Sequence, residues 1–150
     1  MEREKKVLII IPAYNEAENI EKVVNNLIEN YPQYDYIIIN DGSTDQTAEV
    51  CRKQRYQVLN LPINMGIGGA VQTGYCYAWD KGYDYAVQID GDGQHDVAFL
   101  AKMLECMEKE QADCVIGSRF VEREGFQSSS LRRTGITFLS VLGWLLTGVR

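Results

Sequence analysis

The sequence predicts an α/β fold built on a doubly wound, mostly parallel sheet flanked by helices. Short aliphatic runs, of the kind found in strands buried on both faces, alternate with stretches of helical apolar periodicity. That alternation gives parallel strands joined by right-handed helical crossovers. A further observation is size: 150 residues at 45% hydrophobic content are enough for one core. One domain is therefore expected over residues 1–130, followed by a separate short segment at 131–150.

Val7-Leu8-Ile9-Ile10-Ile11 is a continuous aliphatic run, expected to be a central strand, and Pro12 ends it. A helix opens at Asn15 or Glu16, with Ile20, Val23, Val24, Leu27 and Ile28 recurring at helical spacing. Tyr36-Ile37-Ile38-Ile39 is the second buried strand and runs into Asn40-Asp41-Gly42-Ser43. Ser43 or Thr44 caps the next helix, with Asp45 in its first turn. Gln57 to Leu61 is a weaker third strand. Asn64 to Gly69 leads into a helix from about Ala70 to Trp79, ended by Lys81-Gly82. Tyr85 to Ile89 is the next strand. Phe99, Leu100, Met103, Leu104 and Met107 mark an amphipathic helix, and Cys114 to Gly117 a fifth strand.

A formal charge of -6 and a pI near 4.8 lack the basic footprint of a nucleic-acid binder. Cations do recur in the C-terminal third, at Arg119, Arg123, Arg132 and Arg133. The four cysteines, Cys51, Cys76, Cys106 and Cys114, form no C-x-x-C pair. Each falls in an apolar or periodic segment, so free buried thiols in a reducing, cytosolic setting are expected. The charged start, Met1 to Lys6, runs directly into a strand and does not read as a signal peptide.

In open parallel sheets ligands bind beyond the carboxyl ends of the strands, so the loops there carry the chemistry. Asp90-Gly91-Asp92-Gly93-Gln94-His95-Asp96 leaves one such end. Residues i and i+2 of an extended segment point the same way, so Asp90 and Asp92 can face one small volume. Two like charges there call for a hard cation, and Mg²⁺ takes one or two carboxylates together with water and phosphate oxygens. Gln94 adds an amide oxygen. A plain solvated turn is the competing reading of these residues. Asp41 ends the second strand and suits a nucleobase N–H edge or a ribose hydroxyl, or else a helix cap. Asn64 to Gly69 lacks the Lys-Ser/Thr ending of a P-loop and does not match G-x-G-x-x-G, so close helix packing is expected of it.

Taken in order, Val7 to Glu16, Asn40 to Asp45, Asn64 with Gly66 and Gly69, and Asp90 to His95 resemble the signature of family 2 glycosyltransferases. Asp90-x-Asp92-Gly-Gln-His with Gly117-Ser118-Arg119-Phe120 is most similar to the polyprenyl-phosphate, dolichyl-phosphate mannose synthase-like branch. The resemblance implies a Rossmann-like GT-A fold that binds a nucleotide-diphosphate sugar and transfers the sugar with inversion. It implies Pro12, Tyr14, Glu16, Asp41 and Asp90 around the nucleotide, and Asp90, Asp92 and Gln94 around Mg²⁺ or Mn²⁺. Asp92 and Arg119 are the expected catalytic residues. His95, the only histidine, is expected on the structural or diphosphate side rather than as a base. No Gln-x-x-Arg-Trp motif occurs, which argues against a processive polysaccharide synthase.

The acceptor expected from this branch is polyprenyl phosphate, received by Arg119 with Arg132 or Arg133, because arginine forks suit phosphate. Other readings are a glycan or protein hydroxyl acceptor, or a nucleotide-binding regulatory module without turnover. Residues 131–150 begin with Arg132-Arg133 and continue apolar and aromatic through Phe138 and Trp144. A membrane span needs about 20 apolar residues. A basic start and one apolar face fit a helix on the cytoplasmic membrane surface, or one packed against protein. The family pattern continues past Arg150, so a truncated chain is expected.

Overall fold

The computed structural model describes residues 5–91 and 97–117, which fall into two compact units divided between Ala101 and Lys102. The first unit holds a four-stranded parallel sheet. Its strands are β1 (Val7–Ala13), β2 (Asp35–Asn40), β3 (Val58–Asn60) and β4 (Tyr85–Gln88), in the order β3-β2-β1-β4. Helix α1 (Ile20–Asn30) joins β1 to β2, and α2 (Thr47–Gln54) joins β2 to β3. Helix α3 (Gly66–Asp80) then carries the chain from β3 at one edge to β4 at the other. The strand order reverses at β1, so the carboxyl ends of β1 and β4 form the switch point where such sheets take ligands.

Every residue of β1 is buried, as a strand enclosed by neighbours on both sides and both faces must be. Leu8 and Ile10 join Ile37 and Ile39 beneath Ala70 and Ala78 of α3. Gly74 of α3 lies so close to the sheet that a Cβ there would collide with Ile10 Cγ2. Ile9, Ile11 and Ile38 face the other way and are fully buried. On that face Tyr36 meets Tyr56 edge-on, with ring centroids 6.5 Å apart, and the Tyr56 hydroxyl donates to Asn25 Oδ1 of α1 at 2.6 Å. Helices thus cover both faces, as expected of a doubly wound sheet.

Several boundaries differ from expectation. Pro12 does not end β1, which pairs with β2 through Ala13↔Asn40. It ends only the ladder to β4. Ile10 C=O accepts the Ile89 N–H at 3.0 Å, and two residues on Pro12 faces the same side with no N–H to offer. Helix α1 begins at Ile20 rather than at Asn15 or Glu16, because Asn15 has φ +57°, outside the right-handed helical region. Neither Ser43 nor Thr44 caps α2, which begins at Thr47. Helix α3 begins at Gly66, four residues before Ala70, on acceptors described below.

The chain continues through a single 3₁₀ turn, Val97–Phe99, into α4 (Leu100–Glu110), in which the second unit begins. Met107 C=O accepts the Ala112 N–H at 3.0 Å, closing the helix. The expected fifth strand at Cys114 to Gly117 is not a strand. It has no partner ladder among the described residues; Gly117 lies instead against Met103 of α4. The expectation of buried thiols holds only for Cys51, since Cys76, Cys106 and Cys114 are exposed. Cys76 and Cys106 stand on the outer sides of α3 and α4, and Cys114 lies past α4 outside any element. Among the described residues no helix is long and apolar enough to cross a membrane.

Candidate functional site

The loops leaving β1 and β2 are stitched to each other by side-chain hydrogen bonds. Asn15 Oδ1 accepts the Thr44 N–H at 2.9 Å and, at 3.3 Å each, the Thr44 hydroxyl and the Asp45 N–H. In return the Asn15 N–H donates to Ser43 Oγ at 3.0 Å, and the Glu16 N–H to Thr47 Oγ1 at 2.9 Å. The Ala17 N–H donates to Asp45 Oδ2 at 3.1 Å. Burial works against the charge on Asp45, but the bonds from Thr47 and Ala17 outweigh it and hold the carboxyl below its ordinary value. Seven residues of the two loops are thus tied together. Asn adopts the left-handed backbone more readily than most residues, which explains its use at position 15.

Asp41 is buried at the end of β2, its N–H bonded to Ala13 C=O at 2.9 Å. Its Oδ1 accepts the Met65 N–H at 2.7 Å, just ahead of α3. Asn64 Oδ1 accepts the Gly66 N–H at 2.9 Å. These two acceptors satisfy donors that a helix start leaves open, so α3 begins within its glycine stretch. Asp41 Oδ2 takes no hydrogen bond among the described residues. No buried side-chain N or O atom among them lacks a partner, so Oδ2 retains access to solvent. Gly42 follows with φ +64°, and a Cβ there would stand 2.6 Å from Asn64 N. No other residue fits this turn without moving the backbone.

At the switch point the chain leaves β4 through Ile89 and Asp90. Gln88 Nε2 donates to Asp90 Oδ1 at 3.3 Å. Gly91 is buried, and a Cβ on it would lie 3.2 Å from Pro12 O and 3.6 Å from Glu16 Cγ. The start of the acidic turn is therefore packed against the β1 loop. Glu16 Oε2 is also held, by Asn19 Nδ2 at 3.0 Å.

Of the residues expected around the nucleotide, Pro12, Tyr14, Glu16, Asp41 and Asp90 all lie at this one sheet edge. Pro12 is buried within β1, Tyr14 is 47% exposed, and Glu16 and Asp90 are half-buried. Asp92, Gln94 and His95 of the acidic turn lie outside the described residues, as do Arg119, Arg132, Arg133, the expected domain limit at 130 and the segment 131–150. Among the described residues no group of three or more His, Cys, Asp or Glu is placed to hold a metal. Sequence reasoning missed Asn15 and its partners Ser43, Thr44 and Asp45, whose pairing spans about thirty positions. The only local signal was an asparagine just after a buried strand, where a left-handed residue is tolerated.

The sequence pattern of the family described as "Glycosyl transferase family 2" matches residues 8–145. A UDP-N-acetylglucosamine–dolichyl-phosphate N-acetylglucosaminyltransferase of Methanococcus voltae is 32% identical over 97% of this chain and 64% of its own length. An undecaprenyl-phosphate mannosyltransferase of Micrococcus luteus is 35% identical over 77% of this chain and 49% of its own. The chain spans between about half and two thirds of the length of these curated relatives. Among solved structures, a mannosyltransferase from Pyrobaculum calidifontis in complex with GDP-Man and Mn²⁺ superposes with a TM-score of 0.60. It is 22% identical, over 70% of this chain and 33% of that one. Glucosyl-3-phosphoglycerate synthase from Mycobacterium tuberculosis, in complex with Mn²⁺ and UDP-glucose, gives 0.55 at 22% identity, over 69% and 39%. These likenesses establish the GT-A fold.

Proposed function

Because the chain belongs to glycosyl transferase family 2, we propose that it acts as an inverting glycosyltransferase, moving a sugar from a nucleotide diphosphate to polyprenyl phosphate. The observation that carries this reading is the shared sheet edge. Asp41 lies buried at the end of β2, Tyr14 is exposed just past β1, and the chain leaves β4 through Asp90 with Gly91 close to Pro12 and Glu16. Such a switch point is where doubly wound sheets take nucleotides.

In this reading Pro12, Tyr14, Glu16 and Asp41 receive the nucleoside, Asp41 through a base N–H or a ribose hydroxyl. Asp90, Asp92 and Gln94 hold a divalent cation, Mg²⁺ or Mn²⁺. Their oxygen donors suit a hard ion. When bound, the cation offsets charge developing on the departing diphosphate. Arg119, with Arg132 or Arg133, receives the acceptor phosphate by paired hydrogen bonds. An acceptor phosphate oxygen attacks the anomeric carbon on the face opposite the diphosphate. The bond from that carbon to the β-phosphate oxygen breaks and its electron pair leaves with the diphosphate. The acceptor is already ionised at neutral pH, so no side chain has to remove a proton. The polyprenyl chain keeps the protein at the cytoplasmic membrane face.

The test incubates the protein, at its full natural length, with UDP-, GDP-, CDP- and dTDP-linked sugars, Mn²⁺ or Mg²⁺, and polyprenyl phosphate in mixed micelles. One donor supports transfer to the lipid, and Arg119→Ala and Arg132→Ala depress it while nucleotide affinity stays unchanged. Transfer to a neutral glycan or protein hydroxyl alone overturns the acceptor. Nucleotide binding with no transfer to any acceptor leaves a regulatory module.

A further inference from the structure

Asn15 has a conformation and a set of bonds that its own loop does not require. Two other described residues besides glycine have positive φ, Arg55 at 58° and Gln111 at 50°, and both simply end helices. Asn15, at φ +57°, instead sits between Tyr14 and Glu16 at the carboxyl edge of the sheet. Its side chain takes three donors from the β2 loop, while its own N–H goes back to Ser43 Oγ. An isolated turn at this point would need neither the reach of the amide nor the β2 loop as its partner. Glycine would supply the backbone angle at lower steric cost.

We propose that Asn15 is a positioning residue that fixes the β1 loop to the β2 loop, so that Tyr14, Glu16 and Asp41 form one preformed wall for the nucleoside. This rests on the glycosyltransferase reading above. The latch joins Thr44 and Asp45, which follow Asp41 in the β2 loop, to the residue between Tyr14 and Glu16. Without it the two loops would be joined, among the described residues, by the Asn15 N–H bond to Ser43, the bonds of Glu16 and Ala17 to Thr47 and Asp45, and the backbone bond of Asp41 to Ala13. A wall assembled on binding gives up affinity to ordering, whereas a preassembled one does not. The ligand chemistry sensed by Asn15 is therefore the base and ribose, not the diphosphate or its cation.

Asn15→Gly keeps the left-handed angle and removes the acceptor. Asn15→Asp keeps an acceptor oxygen in the same place. Calorimetry with the mono- and diphosphates of uridine, guanosine, cytidine and thymidine, with and without Mn²⁺, reads the effect, and thermal unfolding of the unliganded protein reads the fold. Asn15→Gly is expected to weaken the monophosphate and diphosphate of the preferred base by the same factor, about tenfold for hydrogen-bond and ordering losses of this kind. Asn15→Asp is expected to restore most of it. The donor KM in a transfer assay should rise while kcat is kept. If Asn15→Gly does not fold, Ser43→Ala removes only the return bond from the Asn15 N–H, with a smaller loss in the same direction expected. Parental affinity in Asn15→Gly, or a loss confined to diphosphates, overturns the positioning role alone. Failure of the parent protein to bind any nucleotide overturns the glycosyltransferase reading and this inference with it.

Discussion

Asp41 at the end of β2 and Met65 just ahead of α3 are joined by a 2.7 Å hydrogen bond from the Met65 N–H to Asp41 Oδ1. A carboxylate at a helix start meets both an open donor and the positive end of the helix dipole. One oxygen of Asp41 thus fixes where α3 begins, and the other takes no hydrogen bond among the described residues.

The two oxygens can be separated by substitution. Asp41→Ala leaves the Met65 N–H without its acceptor and is expected to cost about 1–3 kcal/mol in urea unfolding. Asp41→Asn keeps an oxygen for Met65 and is expected to cost clearly less. In binding, Asp41→Asn should weaken nucleoside monophosphates and diphosphates alike by calorimetry. A loss limited to diphosphates would move Asp41 from the nucleoside to the cation.

Two glycines of α3 should respond in opposite directions. At Gly74 a Cβ would collide with Ile10, whereas nothing lies within 4 Å of one at Gly68. Gly74→Ala should destabilise by about 1–3 kcal/mol through overpacking. Gly68→Ala should stabilise by up to about 1 kcal/mol, because alanine suits a helix better. Chemical unfolding of both variants beside the parent checks this.

Asp92 is proposed to meet the cation directly, so Asp92→Asn should keep the fold and abolish the metal-dependent part of diphosphate affinity. Isothermal titration of GDP and UDP with and without Mg²⁺ reads it. Equal metal dependence in variant and parent would remove Asp92 from the metal site.

Asp45 gives the loop pair a pH dependence. Its folded pKa is lowered by the bonds from Thr47 and Ala17 against the opposing effect of burial, while the unfolded value is about 3.9. A depressed carboxyl contributes stability that is present above the unfolded value and lost as pH falls through the folded one. The urea midpoint should therefore fall as pH drops below about 4. Asp45→Asn, which carries no titrating group, should flatten that part of the profile. An identical profile in the variant would assign the acid loss to other carboxylates.

Strand and helix identities were legible because burial on both faces demands aliphatic runs and one-sided helices show a 3.6 period. What local pattern did not carry were bonds between distant residues. The start of α3 depends on Asp41, 24 positions upstream of Met65, so a glycine-rich stretch read by propensity as a loop is helical. Helix α2 starts only at Thr47, beyond Thr44 and Asp45, whose N–H groups go to Asn15 of the other loop. The fifth strand was inferred from an apolar run alone, and Ile116 within it is 84% exposed. At the site, the position of Asp41 and Asp90 at one edge followed from topology. The Asn15 latch did not, because its meaning lies in the loop it reaches.

The reversal of strand order at β1 also sets a schedule for folding. β1 and β2 are joined through α1 alone and can pair early, but Val7 finds its other neighbour, Tyr85, only after α2, β3 and the whole of α3 have been made. During synthesis at about 5–20 residues per second, that interval is on the order of seconds. Throughout it Val7 to Ile11, the most aliphatic stretch of the chain, presents an unpaired edge on which another nascent chain could add a strand. Lys5 and Lys6, immediately before it, put positive charge beside that edge while it is open, a placement known to oppose such pairing.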